Sequence, residues 1–500
     1  MTYGRPGVYL SERLLPAPIA TAGAANAAGA AIGAFAQGPE SVTLVTSWYD
    51  FVKQFGGYNV LYPSTFGVGM FFQNGGGELY VRRILHSDAV AAGVSIPKAT
   101  GSGNVGTVTA KNRGADGNNL RVQLTAVAGR SGYYNLVVYK ETVAGTSSDV
   151  TNDIILEQYN NVILNDVTSS DYISTVVNFG SSNISIYITD VVDAPAVSVL
   201  PLTGGLDGTK PVGTDYTDAV SDFAIVNRPL VLFAPEVISA IGSSDGKDVH
   251  NALISWAESN NSFAVVDTDY NLEVASALAY STSLTKSSYG AAYYPPVFIS
   301  DPVGRSSSSL RKVGPAGAIA GLYIQTDRQT GPFKAPAGVY ATIRGAVALE
   351  RAFTSADLDA LNTGAAPLNA IRNLPGAGVV SMGARTLLQD GTANKYVNMR
   401  RSLIYIEKQL NDLSQFALFE NNDEKLWTRV RTTLGGFLND YRNQGGLRGD
   451  TPDLAYYVKV DAENNTADTI ANGEVHIEIG VALQYPAEFI VINLSQKTAA

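Results

Sequence analysis

The stretch from Met399 to Gly446, MRRSLIYIEKQLNDLSQFALFENNDEKLWTRVRTTLGGFLNDYRNQGG, reads as a pair of helices with a tight break between them. Met399, Leu403, Ile406, Leu410, Leu413, Phe416 and Phe419 recur at three- and four-residue steps, which puts them on one stripe of a helix. Arg400, Arg401, Glu407, Lys408, Asn411 and Asp412 fall on the other side. Asn421-Asn422-Asp423 stops this helix and caps the next, with Glu424 set to reach back as in a capping box. The second helix is expected to bury Leu426, Trp427, Val430, Leu434, Phe437 and Tyr441 and to end at Gly445-Gly446, where glycine takes the left-handed C′ conformation. So short a turn makes the two helices antiparallel.

The period then changes to 2. Val475, Ile477, Ile479, Val481 and Leu483 alternate with Glu474, His476, Glu478 and Gly480, the pattern of a half-buried strand after the turn dipeptide Asn472-Gly473. Tyr456 to Asp461 is its expected partner. Phe489-Ile490-Val491-Ile492-Asn493-Leu494 is apolar on both faces, yet it stands near the end of the chain. Such a strand needs cover on both sides, and a terminal one can find that cover on another molecule or on its own domain.

Arg400-Arg401-Ser402-Leu403, Phe419-Glu420-Asn421-Asn422-Asp423, Leu426-Trp427, Gly445-Gly446-Leu447-Arg448-Gly449 and Pro486-Ala487-Glu488-Phe489 together resemble the C-terminal domain of phage tail sheath proteins. Further members of the resemblance stand upstream, in the same order: Gly4-Arg5-Pro6-Gly7-Val8-Tyr9, Arg113-Gly114-Ala115-Asp116-Gly117-Asn118-Asn119-Leu120, Gly331-Pro332-Phe333-Lys334-Ala335-Pro336-Ala337-Gly338 and Gly383-Ala384-Arg385-Thr386-Leu387. Each motif is weak alone; the ordered set covers most of the chain.

Composition sets the limits. Five hundred residues exceed one ordinary core, so two to four domains are expected. With 45% hydrophobic and 16% charged residues and 49 glycines, the chain is globular and loop-rich, not disordered. No apolar run approaches the length of a membrane span, and Met-Thr-Tyr-Gly-Arg has no apolar stretch behind it to make a secretory signal. The absence of cysteine excludes disulfides and thiolate metal sites and suits assembly in a reducing cytoplasm. A net charge of −10 with no basic run speaks against nucleic acid.

Taken in order, the expected fold class is α/β multidomain. Residues 1–31 form an arm, Pro6 to Glu12, and an extensible linker from Arg13 to Ala31 rich in Pro, Gly and Ala. Residues 32–94 with 205–375 form an α/β body on a mostly parallel sheet. Its strands are expected at Ala31 to Ala36, Leu79 to Ile84, Leu230 to Ala234, Phe263 to Val266 and Ala291 to Ile299; beyond the body, Gly376 to Ser381 leads by a further strand into Arg385. Helices are expected at Ser47 to Phe55, at Tyr62 to Phe72, after a cap at Asp248, at Leu272 to Leu284, at Ala316 to Tyr323 and at Thr354 to Leu361. Residues 95–204, with short strand-like runs between glycine-rich borders, read as an inserted β-rich outer domain. Residues 376–485 are an α+β C-terminal domain, and 486–500 a second arm.

No catalytic constellation emerges. Gly101-Ser102-Gly103-Asn104-Val105-Gly106 matches a dinucleotide fingerprint literally, but Thr107-Val108-Thr109 continues as strand where a helix is required. Gly246-Lys247 is followed by Asp248 and is no P-loop. Asp267 and Asp269 stand at the end of a strand, where α/β proteins bind ligands; as a different class of function, they would be the carboxylate site of an α/β enzyme. Turn and cap chemistry is the preferred reading of the pair. His86, His250 and His476 have no metal-ligand spacing, and Ser306 to Ser309 have no nucleophile elbow. No cofactor or metal is expected.

The resemblance implies a structural subunit of a contractile tail sheath, located in the virion and assembled in the host cytoplasm. Hexameric rings of this chain would stack around a tail tube protein between baseplate and tail terminator proteins, without membrane insertion. A sheath from a phage-derived contractile injection particle is the near alternative. The expected intersubunit contacts are Val8, Tyr9 and Leu10 on one arm, Phe489, Ile490, Val491, Ile492 and Leu494 on the other, and Tyr457, Lys459, Val475 and Ile477 on the strands that receive them.

Overall fold

The computed structural model describes residues 27–142, 149–304, 306 and 308–488. Val8, Tyr9, Leu10 and Phe489 to Leu494 lie outside the described residues. The chain begins with β1 (Ala28–Gly33), β2 (Thr43–Val45), α1 (Trp48–Phe55), α2 (Ser64–Gln73) and β3 (Leu79–Arg83). Ser47 caps α1 by accepting the Asp50 N–H. β1 begins three residues earlier than the sequence suggests, inside the expected linker. Its small residues Ala28, Gly29 and Ala30 are strand because neighbours pack on them: a Cβ on Gly29 would stand 2.5 Å from the Phe71 ring.

Next come β4 (Gly93–Pro97), β5 (Asn104–Ala110), β6 (Leu120–Ala126), β7 (Tyr133–Lys140), β8 (Ile154–Ile163), α3 (Ile173–Gly180), β9 (Ile184–Ile188) and β10 (Val199–Pro201). They form two sheets, ordered β10-β6-β7-β8 and β4-β5-β9, around a shared core that includes Val108, Val122, Leu136, Val138 and Ile186. The dinucleotide-like run Gly101 to Gly106 starts in the turn of the β4–β5 hairpin and continues as the first residues of β5, with no helix after it.

The chain returns with α4 (Gly213–Ala219), β11 (Leu230–Phe233), α5 (Val237–Ile241), α6 (Ser243–Ser259), β12 (Phe263–Asp267), α7 (Val274–Thr282) and β13 (Gly290–Tyr294). Then come β14 (Val297–Ser300), β15 (Leu310–Val313), α8 (Ala316–Gln329), β16 (Ala346–Leu349), α9 (Ser355–Thr363), β17 (Leu368–Leu374) and β18 (Gly378–Ser381). One eight-stranded sheet runs β18-β17-β13-β12-β11-β1-β3-β2; pairing is parallel from β17 to β3 and antiparallel at both ends. Val231, Phe263, Val265 and Tyr293 enter one core with α2 and α8, while Leu230, Leu232, Ala264, Val266 and Tyr294 enter another with α6 and α7. Cover on both faces is why these strands read as continuous apolar runs.

Two expectations fail here. Asp248 lies inside α6, which starts at Ser243, and caps nothing. The single strand expected from Ala291 to Ile299 is two, because Pro295-Pro296 lacks the N–H groups a ladder needs. β14 pairs instead with β15 and β16 in a separate three-stranded sheet.

α10 (Val397–Ser414), α11 (Glu424–Asn443), α12 (Pro452–Ala455), β19 (Tyr456–Lys459), α13 (Ala467–Ala471) and β20 (Glu478–Val481) complete the fold. α10 is a rod shared by two cores: Val397 and Ile404 pack into the body, Ile406 and Leu410 against α11. Its first turns are therefore surrounded. Arg401, placed on the polar side by periodicity, is buried and paired with Asp327 of α8. The helix also ends at Ser414, not at Phe419. Phe419 takes φ 65° in the break and is fully exposed. Asp423 caps α11 through the Leu426 N–H at 2.9 Å. Glu424 is the first helical residue and makes no capping box. Gly445 and Gly446 donate to Arg442 O and Tyr441 O at 2.8 and 2.9 Å, closing a Schellman motif that needs the φ of 89° at Gly445.

Candidate assembly surface

β19 and β20 make an antiparallel pair in the register Tyr456↔Val481, Tyr457↔Gly480, Val458↔Ile479 and Lys459↔Glu478. The pleat sends Tyr456, Val458, Ile479 and Val481 towards α10 and α11. Tyr457, Lys459, Glu478 and Gly480 take the opposite face. The Tyr457 ring lies across Gly480, where a Cβ would come within 2.1 Å of it, and its hydroxyl donates to Glu478 Oε1 at 2.8 Å. Lys459 pairs with Glu463 at 2.5 Å.

Val475 and Ile477 also alternate inward, onto the cluster of Trp427, Val430 and Leu434. They are not in the ladder, however. The strand expected from Val475 to Leu483 is hydrogen-bonded to β19 only over Glu478–Val481. At His476 the side chain of buried Asn465 takes the place of β19: its Oδ1 accepts the His476 N–H at 2.7 Å and its Nδ2 donates to the His476 carbonyl at 3.0 Å. Ala482 donates to Ala455 on that same side at 2.8 Å. Backbone groups alternate along a strand, so Ile477, Ile479 and Val481 direct their N–H and C=O groups away from β19. Among the described residues nothing hydrogen-bonds to them. The far edge of β19 is mostly taken up: the Tyr456 N–H donates to the Pro452 carbonyl, and the Val460 carbonyl accepts from Arg431 at 3.3 Å. A two-stranded sheet with a bare edge along β20 is a template for a further strand.

The carboxylates at the sheet end are arranged differently. Asp267, the last residue of β12, accepts the Ala316 N–H at 2.6 Å, and Glu236 accepts the Gly314 N–H at 2.6 Å and the Tyr270 hydroxyl. Both acids thus grip the start of α8, where the helix dipole favours negative charge. A Cβ on Gly314 would stand 2.3 Å from Asp267 Oδ2, so the loop fits only as glycine. The remaining space is about 10 Å³, room for one water at most. Asp269 turns away, accepting from Ser243 and from the Tyr270 N–H. Of the pair that an enzyme would use, Asp267 is spent on a helix start and Asp269 on Ser243 and the Tyr270 N–H. Among the described residues no group of three or more His, Asp or Glu side chains could hold a metal. His86 bonds to Asp215, His250 to Tyr280 and His476 to Glu474, each at 2.8 Å.

Burial, first of all, raises the Glu236 carboxyl from 4.5 to about 7, and burial together with the nearby Glu236 charge holds Asp267 well above its ordinary value. A raised acid favours the folded state below its unfolded value and loses that contribution as pH climbs through its folded one. Wild-type stability should fall by roughly 3 kcal/mol from Glu236 alone between about pH 4.5 and 8. Glu236→Gln should flatten that slope and unfold at higher urea than wild type at pH 8. Parallel pH profiles for the two proteins would contradict the assignment.

Residues 389–497 match the phage tail sheath C-terminal domain family. This part of the chain belongs to that family. A tail sheath protein of Vibrio phage KVP40 is 29% identical over 179 residues, which is 36% of this chain and 26% of the relative. That of Enterobacteria phage T4 is 25% identical over 265 residues, 53% of this chain and 36% of the relative. The matched stretches thus span about a quarter to a third of the curated relatives. Among solved structures, the contracted helical sheath of the anti-feeding prophage superposes with a TM-score of 0.60 at 21% identity, covering 99% of this chain and all of that one. A sheath tail protein from Listeria innocua gives 0.62 at 13% identity, covering 92% and 96%. At these identities the likeness is one of fold. It extends over nearly the whole chain: this sequence has the mixed α/β, multidomain architecture of sheath proteins.

Proposed function

We propose that this chain is the subunit of a contractile sheath, in which hexameric rings stack around a tail tube between a baseplate and a terminator. The observation that carries the reading is the β19–β20 pair, whose β20 edge is bare among the described residues, inside the region that matches the tail sheath family. An arm from a neighbour adds a strand beside β20. Backbone bonds supply this adhesion at roughly 0.5–1.5 kcal/mol each, so a single short strand holds weakly and a mesh holds by multivalency. The extended sheath is a trapped state; triggering at the baseplate lets subunits rotate and repack as rigid bodies. The particle is a phage tail or a phage-derived injection device; the likeness to the anti-feeding prophage sheath keeps the second in view. Negative-stain microscopy of the purified protein tests the reading. Tubes or stacked rings are expected; a stable monomer under all conditions would remove it.

The β-rich segment of roughly 95–204 is then an outer domain, dispensable for polymerisation. Its two ends meet: Gly93 and Thr203 exchange hydrogen bonds of 2.8 and 3.1 Å, and Val90 and Leu206 exchange bonds of 2.8 and 3.0 Å. A short Gly/Ser loop replacing residues 95–202 closes as a hairpin without moving the body. Buried Arg83 loses one acceptor, the Arg113 carbonyl at 2.8 Å, but keeps those of Phe35 and Gly38 at 2.9 Å. The variant should form thinner tubes. A soluble, folded variant that never polymerises would refute the outer placement.

A further inference from the structure

The last four described residues, Tyr485 to Glu488, run along a groove of about 560 Å³ between the 333–338 loop, α9 and the β17–β18 hairpin. Their path is fixed. Asn398 Nδ2 donates to the Gln484 carbonyl at 3.3 Å, and Tyr485 meets Tyr396 edge-on at 6.3 Å between ring centres. Glu488 is held by both arms of Arg385, Nε to Oε1 at 3.0 Å and Nη2 to Oε2 at 2.6 Å, while Arg385 Nη1 donates to the Asn362 carbonyl at 2.8 Å. Chain motifs a hundred residues apart are thereby pinned together, and the chain is handed on from inside the groove.

The groove wall is apolar where it is deepest, at Leu361, Leu368 and Ala370, and Met382 on its side is 37% exposed. Lys334, Asp359 and Arg372 make a polar rim. Directly after Glu488 the sequence runs Phe489-Ile490-Val491-Ile492-Asn493-Leu494, uncharged, without proline and rich in β-formers. Such a window is an aggregation hazard in a free subunit unless it is covered. Six residues reach at most about 20 Å, so the nearest apolar cover is the groove in which the segment starts.

We propose that in the unassembled subunit this groove holds the chain's own Phe489–Leu494 segment, and that the segment must leave it before it can serve a neighbour. The docking stands on the groove itself; its consequence for assembly rests on the sheath reading. Because the chain has no cysteine, any disulfide in a Met382→Cys/Val491→Cys variant joins the two introduced thiols. Mild oxidation of the full-length monomer should give an internal bridge in most molecules. The bridged protein should polymerise at least tenfold more slowly and recover on reduction. In Met382→Asp, a change at a half-exposed position, the segment's amides should exchange faster and polymerisation should start sooner. Bridges formed only between molecules, or no bridge, would overturn the docking. Unchanged polymerisation of the bridged protein would overturn the control of assembly. If the wild type never forms tubes, the sheath reading fails, while the bridge in the monomer still decides the docking.

Discussion

Asp327→Ala is expected to lower the unfolding free energy by about 3–5 kcal/mol, because it strands Arg401 in the interior. Both side chains are 3% exposed, and they join α8 of the body to α10, the rod that carries the C-terminal region. Arg401 also stacks 4.5 Å from the Tyr323 ring centre, and Tyr323 shares a 2.7 Å hydrogen bond with Tyr293 in the body core. The cost does not arise because the pair is a strong stabiliser. Burial pushes the Asp327 carboxyl up from its ordinary value, and the pull of Arg401 only partly offsets it. Asp327 Oδ1 and Arg401 Nη1 moreover find no protein partner among the described residues. An intact pair of this kind sits near balance; a broken one leaves a desolvated cation. Asp327→Leu combined with Arg401→Met should therefore recover most of the loss. Urea unfolding of the single and double variants decides it. A single variant within about 1 kcal/mol of wild type, or a double variant as weak as the single, would contradict the account.

The same helix illustrates where the sequence is legible. The spacing of Leu426, Trp427, Val430, Leu434 and Tyr441 found the buried stripe of α11, because that helix keeps one face inward along its length, over two adjoining clusters, and turns the other to solvent. It misjudged Arg401 and Phe419, because α10 passes from inside one core to the edge of another and a single stripe cannot describe both. The body strands were readable as uninterrupted apolar runs; the Pro295-Pro296 break divided one of them between two sheets. Least legible were the asparagines. Asn74, Asn118, Asn178, Asn369 and Asn465 each hold the N–H and C=O of one other residue, respectively Arg344, Gly205, Ile186, Arg385 and His476. Each acts as a missing neighbour strand. No periodicity marks such a role, since it depends on two segments that only the tertiary fold brings together. The open edge of β20 was likewise half legible: alternation found the strands, but the rungs left bare are set by where Asn465 and Ala455 sit.

Lengthening the segment before β1 is expected to uncouple assembly from contraction. Ala27, where the described chain begins, lies beside Pro229 and Phe263 of the body and Ile404 and Tyr405 of α10. Any pull through this segment is thus delivered where the body meets the rod that carries the proposed assembly sheet. From Arg13 to Ala27 the sequence is rich in Pro, Gly and Ala, which offers few side-chain contacts to resist stretching. In the sheath reading the arm before it stays docked on a neighbour in both states, since otherwise the polymer would come apart during the movement. The change in distance then falls on the linker. Four residues inserted after Pro16 add roughly 13–14 Å of reach, slack enough for one ring to move without pulling on the next. Strand and receiving edge are unchanged, so the variant should assemble as wild type does. When triggered, it should stay extended or contract only in part. Cryo-microscopy of triggered tails reads the outcome directly: full and uniform contraction of the lengthened variant would mean that the linker does not transmit the motion, and that neighbouring rings are coupled through their bodies instead.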